Sequence, residues 1–469
     1  MTTTQETDTR TSKRVVLLVA AMASFLTPFM SSGVNVALPT ISRELEVSAI
    51  QLSWVATAYL LAAAIVLLPT GRLADLHGRK RVFAAGIMVY TLSSLLAAVS
   101  RSGEALIAAR LVEGSGAAMI FGTGTAMLTS VFPPQERGQA LGINVATVYL
   151  GLSLGPSLGG FLTESLGWRS VFLVNVPLGL LILTLVAWKL KGEWAEARGE
   201  AFDLPGALIY GLGLTGLMLG LSQLPETSGV VLILVGAAGM VLFGVWESRI
   251  ASPMLNLRLF RGNRSFTFSS LAALINYCAT AGVGYLLSLY LQTIKGMSPR
   301  EAGLVLIAQP VVQALFSPLA GRLSDRVEPR IVASIGMGLT AVGLFTLTGL
   351  GEGTPLSAIL VSLVLLGLGF AFFSSPNTNA IMSSVERRFY GVASGIVGTM
   401  RLIGQTTSMG IVTLVAALLI GRVQLTPEVY PLFLDSAQID FTILAALSVL
   451  GIFASLARGQ LRPALAKGE

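Results

Sequence analysis

The sequence predicts an all-α polytopic membrane protein: two related six-helix halves plus two inserted helices, fourteen transmembrane helices in all. Three observations carry this. Of 469 residues, 53% are hydrophobic and only 12% are charged, about half the charged share of a typical soluble chain. Apolar runs of about 20 residues, enough to cross a ~30 Å hydrocarbon core, recur from end to end between short polar loops. Two short motifs also repeat at nearly one offset along the chain. A water-soluble enzyme is excluded on these grounds. Barrel strands are excluded too, because they alternate apolar and polar residues and these runs do not.

In chain order the predicted helices lie near 15–38, 52–71, 82–99, 104–128, 139–161, 170–189, 204–223 and 229–247, then near 266–291, 302–320, 331–350, 356–379, 391–420 and 440–458. A polar tail of 1–14 precedes them. Its residues lack a cleavable-signal pattern, so helix one stays in the protein. The halves are 15–190 and 266–459, the inserted helices seven and eight with their loops occupy 191–265, and a tail covers 460–469.

Basic residues set the orientation. With the N-terminus in the cytoplasm, the cytoplasmic segments hold 23 of the 31 Lys and Arg residues and the outer loops hold 6. The positive-inside rule favours this orientation and rejects the reverse. An even helix count returns the C-terminus to the cytoplasm. The net charge of +7 is therefore topological and implies no nucleic acid. The single cysteine, Cys278, forbids an intramolecular disulfide, and the single histidine, His77, leaves no metal or acid–base constellation.

The repeats define the halves. Gly71-Arg72-Leu73-Ala74-Asp75 returns as Gly321-Arg322-Leu323-Ser324-Asp325, an offset of 250. Gly138-Gln139-Ala140-Leu141-Gly142 returns as Gly391-Val392-Ala393-Ser394-Gly395, an offset of 253. Parallel repeats of six helices are a transporter architecture.

At these residues the chain resembles the major facilitator superfamily, in its fourteen-helix drug:proton antiporter branch. The loop Gly71-Arg72-Leu73-Ala74-Asp75-Leu76-His77-Gly78-Arg79-Lys80-Arg81 is similar to the superfamily's loop signature. Arg110-Leu111-Val112-Glu113-Gly114-Ser115-Gly116 is close to the second signature. Gly151-Leu152-Ser153-Leu154-Gly155-Pro156-Ser157-Leu158-Gly159-Gly160 reads as the antiporter signature. Asn35-Val36-Ala37-Leu38-Pro39, Trp54 to Tyr59 and Asn175-Val176-Pro177 also resemble the branch. The chain departs from it twice. Helix one has no carboxylate at Met30–Val34, where the branch commonly has aspartate, and Glu113 stands where the second signature usually has glutamine.

By sequence, Glu113 is the one acid well inside a predicted span. Arg110 and Glu113 lie ~9 and ~13 Å below the outer end of helix four and share a face at i, i+3. Intramembrane ionisable residues are functional by default, so Glu113 with Arg110 is the expected proton site; a fixed ion pair is the alternative. Arg401 sits near mid-membrane in helix thirteen with no acid within one turn. Its partner must be another helix, backbone carbonyls or an anionic ligand. Gly71, Asp75, Gly78 and Arg79, with Asp325 as the repeat of Asp75, are expected to form a gating latch. That gating role is also what the resemblance implies. Gly151, Gly155, Pro156, Gly159 and Gly160 are expected at a close, bent helix contact that suits rocking.

Polar and aromatic residues inside spans are cavity candidates: Asn35, Tyr59, Asn144, Tyr149, Asn276, Gln309, Gln313, Asn377, Arg401 and Gln405. No phosphate-binding Gly-x-x-x-x-Gly-Lys run occurs, so ATP drive is not expected within the chain. Nor is a cofactor, a metal or enzymatic activity. The expected function is a monomeric, proton-coupled exporter of amphipathic compounds, cations among them, in the bacterial cytoplasmic membrane. Its expected partners are protons, a small amphipathic substrate and membrane lipids. Export of an endogenous lipid or metabolite is the alternative within transport; a receptor or scaffold that kept the fold is the alternative outside it.

Overall fold

In the computed structural model, residues 12–421 and 429–460 are described; the expected tails up to residue 11 and from 461, and Arg422, lie outside them. Fourteen helices are long and apolar enough to span a membrane, and no strand occurs among the described residues. They are α1 (Lys13–Leu45), α2 (Gln51–His77), α3 (Arg79–Ala98), α4 (Gly103–Val131), α5 (Pro134–Leu166), α6 (Arg169–Lys189) and α7 (Leu204–Ser222). The remainder are α8 (Thr227–Glu247), α9 (Arg264–Thr293), α10 (Pro299–Arg326), α11 (Pro329–Leu347), α12 (Leu356–Ser383), α13 (Arg387–Leu419) and α14 (Tyr430–Ala457).

Several boundaries differ from expectation. Helix one runs on through Pro39 to Leu45. Helix nine is interrupted at Ala281–Gly282, between Thr280 and Val283, and helix ten pauses at Ile307. The largest difference is in α14, which begins at Tyr430 with Pro431 in its first turn. The polar residues Asp435 and Gln438 make this stretch read as a loop, yet it is helical. Gln438 donates its amide to the Leu350 carbonyl at 2.9 Å, which ties the new turns to the end of α11.

The first half is held by an apolar cluster running from Val16 to Leu190, the second by clusters around Leu286, Leu363 and Phe441 and around Met337 and Phe373. A further cluster crosses the seam, joining Leu67 of α2, Tyr210 of α7, Met382 of α12 and Ile396 of α13. Large apolar side chains remain exposed round the outside, Leu212, Phe345 and Leu418 among them, as a lipid-facing belt requires.

α7 and α8 form a hairpin zipped by glycines. An added methyl at Gly213 or Gly236 would meet backbone of the facing helix at 3.1 Å or less, so the two axes lie close. Tyr210 anchors the hairpin at the seam: its hydroxyl donates to the Ala64 carbonyl of α2 at 3.3 Å and pairs with the Thr399 hydroxyl of α13 at 3.1 Å.

Candidate translocation cavity and its latches

α4, α5, α9, α12 and α13 converge on a cavity between the halves, lined by Phe121, Asn144, Tyr149, Tyr277, Ser374 and Arg401 among others. Its volume here is about 70 Å³, space for a few waters at ~10–15 Å³ each, so admitting a larger compound requires the halves to part. Phe370 bridges two of the cavity tyrosines, edge-on to Tyr149 at 5.5 Å and to Tyr277 at 5.3 Å. Arg401 carries the one charged side chain among the lining residues. Its guanidinium lies 4.5 Å from the centre of the Phe121 ring, and its Nε is buried without a hydrogen-bond partner. The Asn144 Oδ1 is buried and unpartnered as well.

Two crossed contacts, here called latches, join the halves at one face of the molecule. Asp75, at the end of α2, accepts from the backbone N–H groups of Gly391 and Val392 at 2.8 and 3.0 Å. Asp325, at the end of α10, accepts from Gly138 and Gln139 at 2.6 and 2.8 Å. Each aspartate thus meets backbone N–H groups in the opening turns of a helix in the opposite half, towards the positive end of the helix dipole, which favours an anion. The two sequence repeats are therefore each other's partners: the aspartate motif of one half docks on the glycine motif of the other.

Glycine is required at both docking points. A methyl on Gly71 would collide with the Gly391 carbonyl oxygen, and one on Gly321 with that of Gly138. Arg79 reinforces the Asp75 side. Its Nη2 donates to Asp75 at 2.7 Å, its Nη1 to Ser130 at 2.7 Å, and a further contact reaches the Arg387 carbonyl. Glu196 lies 3.1 Å from the same guanidinium. Gly78, at φ 114°, leaves room for the Glu193 carboxylate, which accepts from the Lys80 N–H at 2.9 Å.

The glycine stripe of α5 lies elsewhere, against α1 within the same half. An added methyl on Gly151 would meet the Phe25 carbonyl at 2.5 Å, and one on Gly159 the Gly33 Cα at 2.6 Å. Gly160 faces Val36 at 3.6 Å, and Pro156 is inside the helix.

Glu113 is fully buried between α4, α3 and α2. It accepts from Arg110 at 2.5 Å and from the Ser94 hydroxyl at 2.7 Å. Arg110 also donates to the Val55 carbonyl at 3.0 Å and lies 4.3 Å from the Tyr59 ring centre. A second carboxylate joins it inside the membrane. Asp440, ten residues into α14, is completely buried, and neither of its oxygens has a hydrogen-bond partner among the described residues. Sequence reading placed it at a helix end and so took Glu113 as the one deep acid; the earlier start of α14 corrects that.

Of the ten cavity candidates, the structure brings Asn144, Tyr149 and Arg401 together. Asn35 is exposed on α1, and Gln309 and Gln405 are half-buried away from the lining. Gln313 and Asn276 are buried outside the cavity, and Asn377 donates to the Ser269 carbonyl, joining α12 to α9. Tyr277 lines the cavity without having been singled out. Its signal was a tyrosine inside an apolar run, shared by several residues that do not line it.

The Major Facilitator Superfamily profile matches residues 20–203 and 269–467, leaving unmatched the stretch that contains α7 and α8. The cephamycin export protein CmcT of Amycolatopsis lactamdurans is 36% identical over 86% of this chain and 84% of that protein. The riboflavin transporter RibZ of Clostridioides difficile is 30% identical over 83% and 85%. The multidrug resistance protein Stp of Mycobacterium tuberculosis is 32% identical over 86% and 76%. In fold, the chain matches the human organic anion transporter MFSD10 with a TM-score of 0.69 at 17% identity, covering 95% of this chain and 99% of that one. Fourteen spans in repeated halves, crossed latches over a central cavity and these relatives agree: the chain belongs to the major facilitator superfamily, in its fourteen-helix multidrug branch, and is a membrane transporter.

Proposed function

We propose that the protein is a monomeric, proton-coupled exporter that moves amphipathic compounds out of a bacterial cell by alternating access in the cytoplasmic membrane. The observation that carries the reading is the pair of crossed latches, which closes one face over a cavity between two repeated halves. The closed face is the basic one and, by the positive-inside rule, cytoplasmic. The latched form is then the state that follows loading of cargo from the cytoplasm, with the cavity shut on that side. Relatives named for multidrug resistance and antibiotic export support the direction of transport.

In this reading Glu113 takes the proton. Protonation loosens its hold on Arg110, whose guanidinium already joins α4 to α2 through Val55, so a proton changes how two helices are bound. A second reading, in which Asp440 carries the proton, is favoured by its two unpartnered oxygens.

Proteoliposomes with an imposed pH gradient test both readings. Wild-type protein should accumulate an amphipathic fluorescent dye against its gradient; riboflavin is included as the metabolite arm. Glu113→Gln should abolish uphill accumulation while Asp440→Asn retains it. The reverse pattern selects Asp440, and full accumulation by both variants would remove both acids from the coupling scheme. A wild type that moves no compound would sink the exporter reading.

A further inference from the structure

We infer that the central cavity binds amphipathic compounds carrying an acidic group, and that Arg401 is the residue that binds that group. This rests on the transport reading only for what happens after binding. Arginine stays protonated under any cellular condition, and a bare positive charge at mid-membrane is costly. Two other buried arginines of the spans are neutralised by neighbouring acids. Arg110 has Glu113 and the Val55 carbonyl, and Arg79 has Asp75, Ser130 and Glu196. Arg401 has an aromatic face, an unpartnered Nε and no ion pair among the described residues. The Phe121 ring lies against the guanidinium as a cation–π contact, which uses none of its N–H donors, and the Nε donor has no partner among the described residues.

A planar fork of N–H groups held beside an open space is the geometry that takes a carboxylate through two parallel bonds. Tyr149 and Tyr277 line the same cavity and offer flat apolar area to the rest of the molecule. The unpartnered Asn144 Oδ1 offers an acceptor for an N–H or O–H of the cargo. A cation has nothing comparable. No acid lines the cavity, Glu113 is sealed with Arg110 and Ser94, and Asp440 is not among the lining residues. A like charge facing Arg401 in a low-dielectric site is strongly disfavoured. This narrows the expected substrates from amphipathic compounds of any charge to organic acids.

The test is equilibrium binding to the purified protein in nanodiscs at pH 7, using pyrenebutyrate, its methyl ester and the matching pyrenebutylamine. The carboxylate should bind at least about tenfold more tightly than the ester, as expected for a bidentate arginine contact, and the amine most weakly. Arg401→Gln should abolish the preference for acid over ester while leaving ester affinity within about twofold, which shows an intact cavity. Arg401→Lys keeps the charge without the fork and should fall between. Equal binding of acid and ester, tighter binding of the amine, no binding of any probe, or a preference that survives Arg401→Gln would overturn the assignment. Selective binding without proton-driven accumulation in proteoliposomes would instead leave this inference standing and remove the coupled-export reading.

Discussion

Asp75 and Asp325 do the same work at two equivalent places, but with different support. Both meet a pair of backbone N–H groups across the seam. Asp75 in addition balances the fully buried Arg79, whereas Pro329 occupies the position equivalent to Arg79 in the second half. Asp75→Asn therefore removes charge-assisted bonds and also leaves Arg79 short of an acid. Hydrogen bonds to charged groups contribute about 1.5–3 kcal/mol each, so losing one shifts the balance roughly 10- to 100-fold towards opening at the basic face. Asp325→Asn should act in the same direction and less strongly. Distances between spin labels on the basic-face loops of the two halves would report it; identical distributions in wild type and both variants would refute the latch. The repeat made these two residues legible as equivalents. Their pairing with the glycine motifs was not legible, because a repeat reveals which positions correspond and says nothing about which ones touch. Asp440 escaped notice for a different reason, since Asp435 and Gln438 gave the start of its helix the look of a loop.

At the level of elements, two kinds of glycine contact have separate consequences. Gly71 with Gly391, and Gly138 with Gly321, join helices of opposite halves; Gly151, Gly155 and Gly159 join α5 to α1 inside one half. Gly391→Ala should therefore leave the thermal stability of the detergent-solubilised protein nearly unchanged while depopulating the latched state. Gly155→Ala meets the Ser32 side chain and the Phe29 carbonyl, and overpacking of this kind costs about 1–3 kcal/mol. It should lower the unfolding temperature and leave the label distances of the surviving protein unaltered. A drop in stability from Gly391→Ala, with no change in distances, would reverse the two roles. The fourteen spans could be read from sequence because an apolar run declares itself. The interruptions at Ala281–Gly282 and Ile307 could not, since the composition stays apolar across them.

For the whole molecule, each half keeps its own apolar cluster while α2, α7, α12 and α13 share a cluster at the seam. α7 and α8 contribute nothing to the cavity lining and lie beside this seam, pinned by Tyr210 to both halves. An orientation with both ends in the cytoplasm predicts that reporter fusions after residues 197 and 465 read cytoplasmic. A periplasmic signal from the 197 fusion would show the helix count or the orientation in the membrane to be wrong. The division into halves was legible from the two repeats. Where the halves touch was not, because that depends on side chains such as Tyr210 whose partners are remote in sequence.

The unneutralised charge of Arg401 also bears on the electrical character of transport. A cationic cargo exchanged for one proton would move no net charge, and the membrane voltage would be irrelevant to it. An anion leaving while a proton enters moves two elementary charges in the same electrical direction. With the cell interior negative, each charge is worth about 2.3 kcal/mol per 100 mV, so voltage alone pushes the anion outward and the proton adds to that drive. If Arg401, which has no ion pair among the described residues, draws anionic cargo as inferred above, the transporter would be a current source, able to empty a cell of organic acids even where the pH difference across the membrane has collapsed.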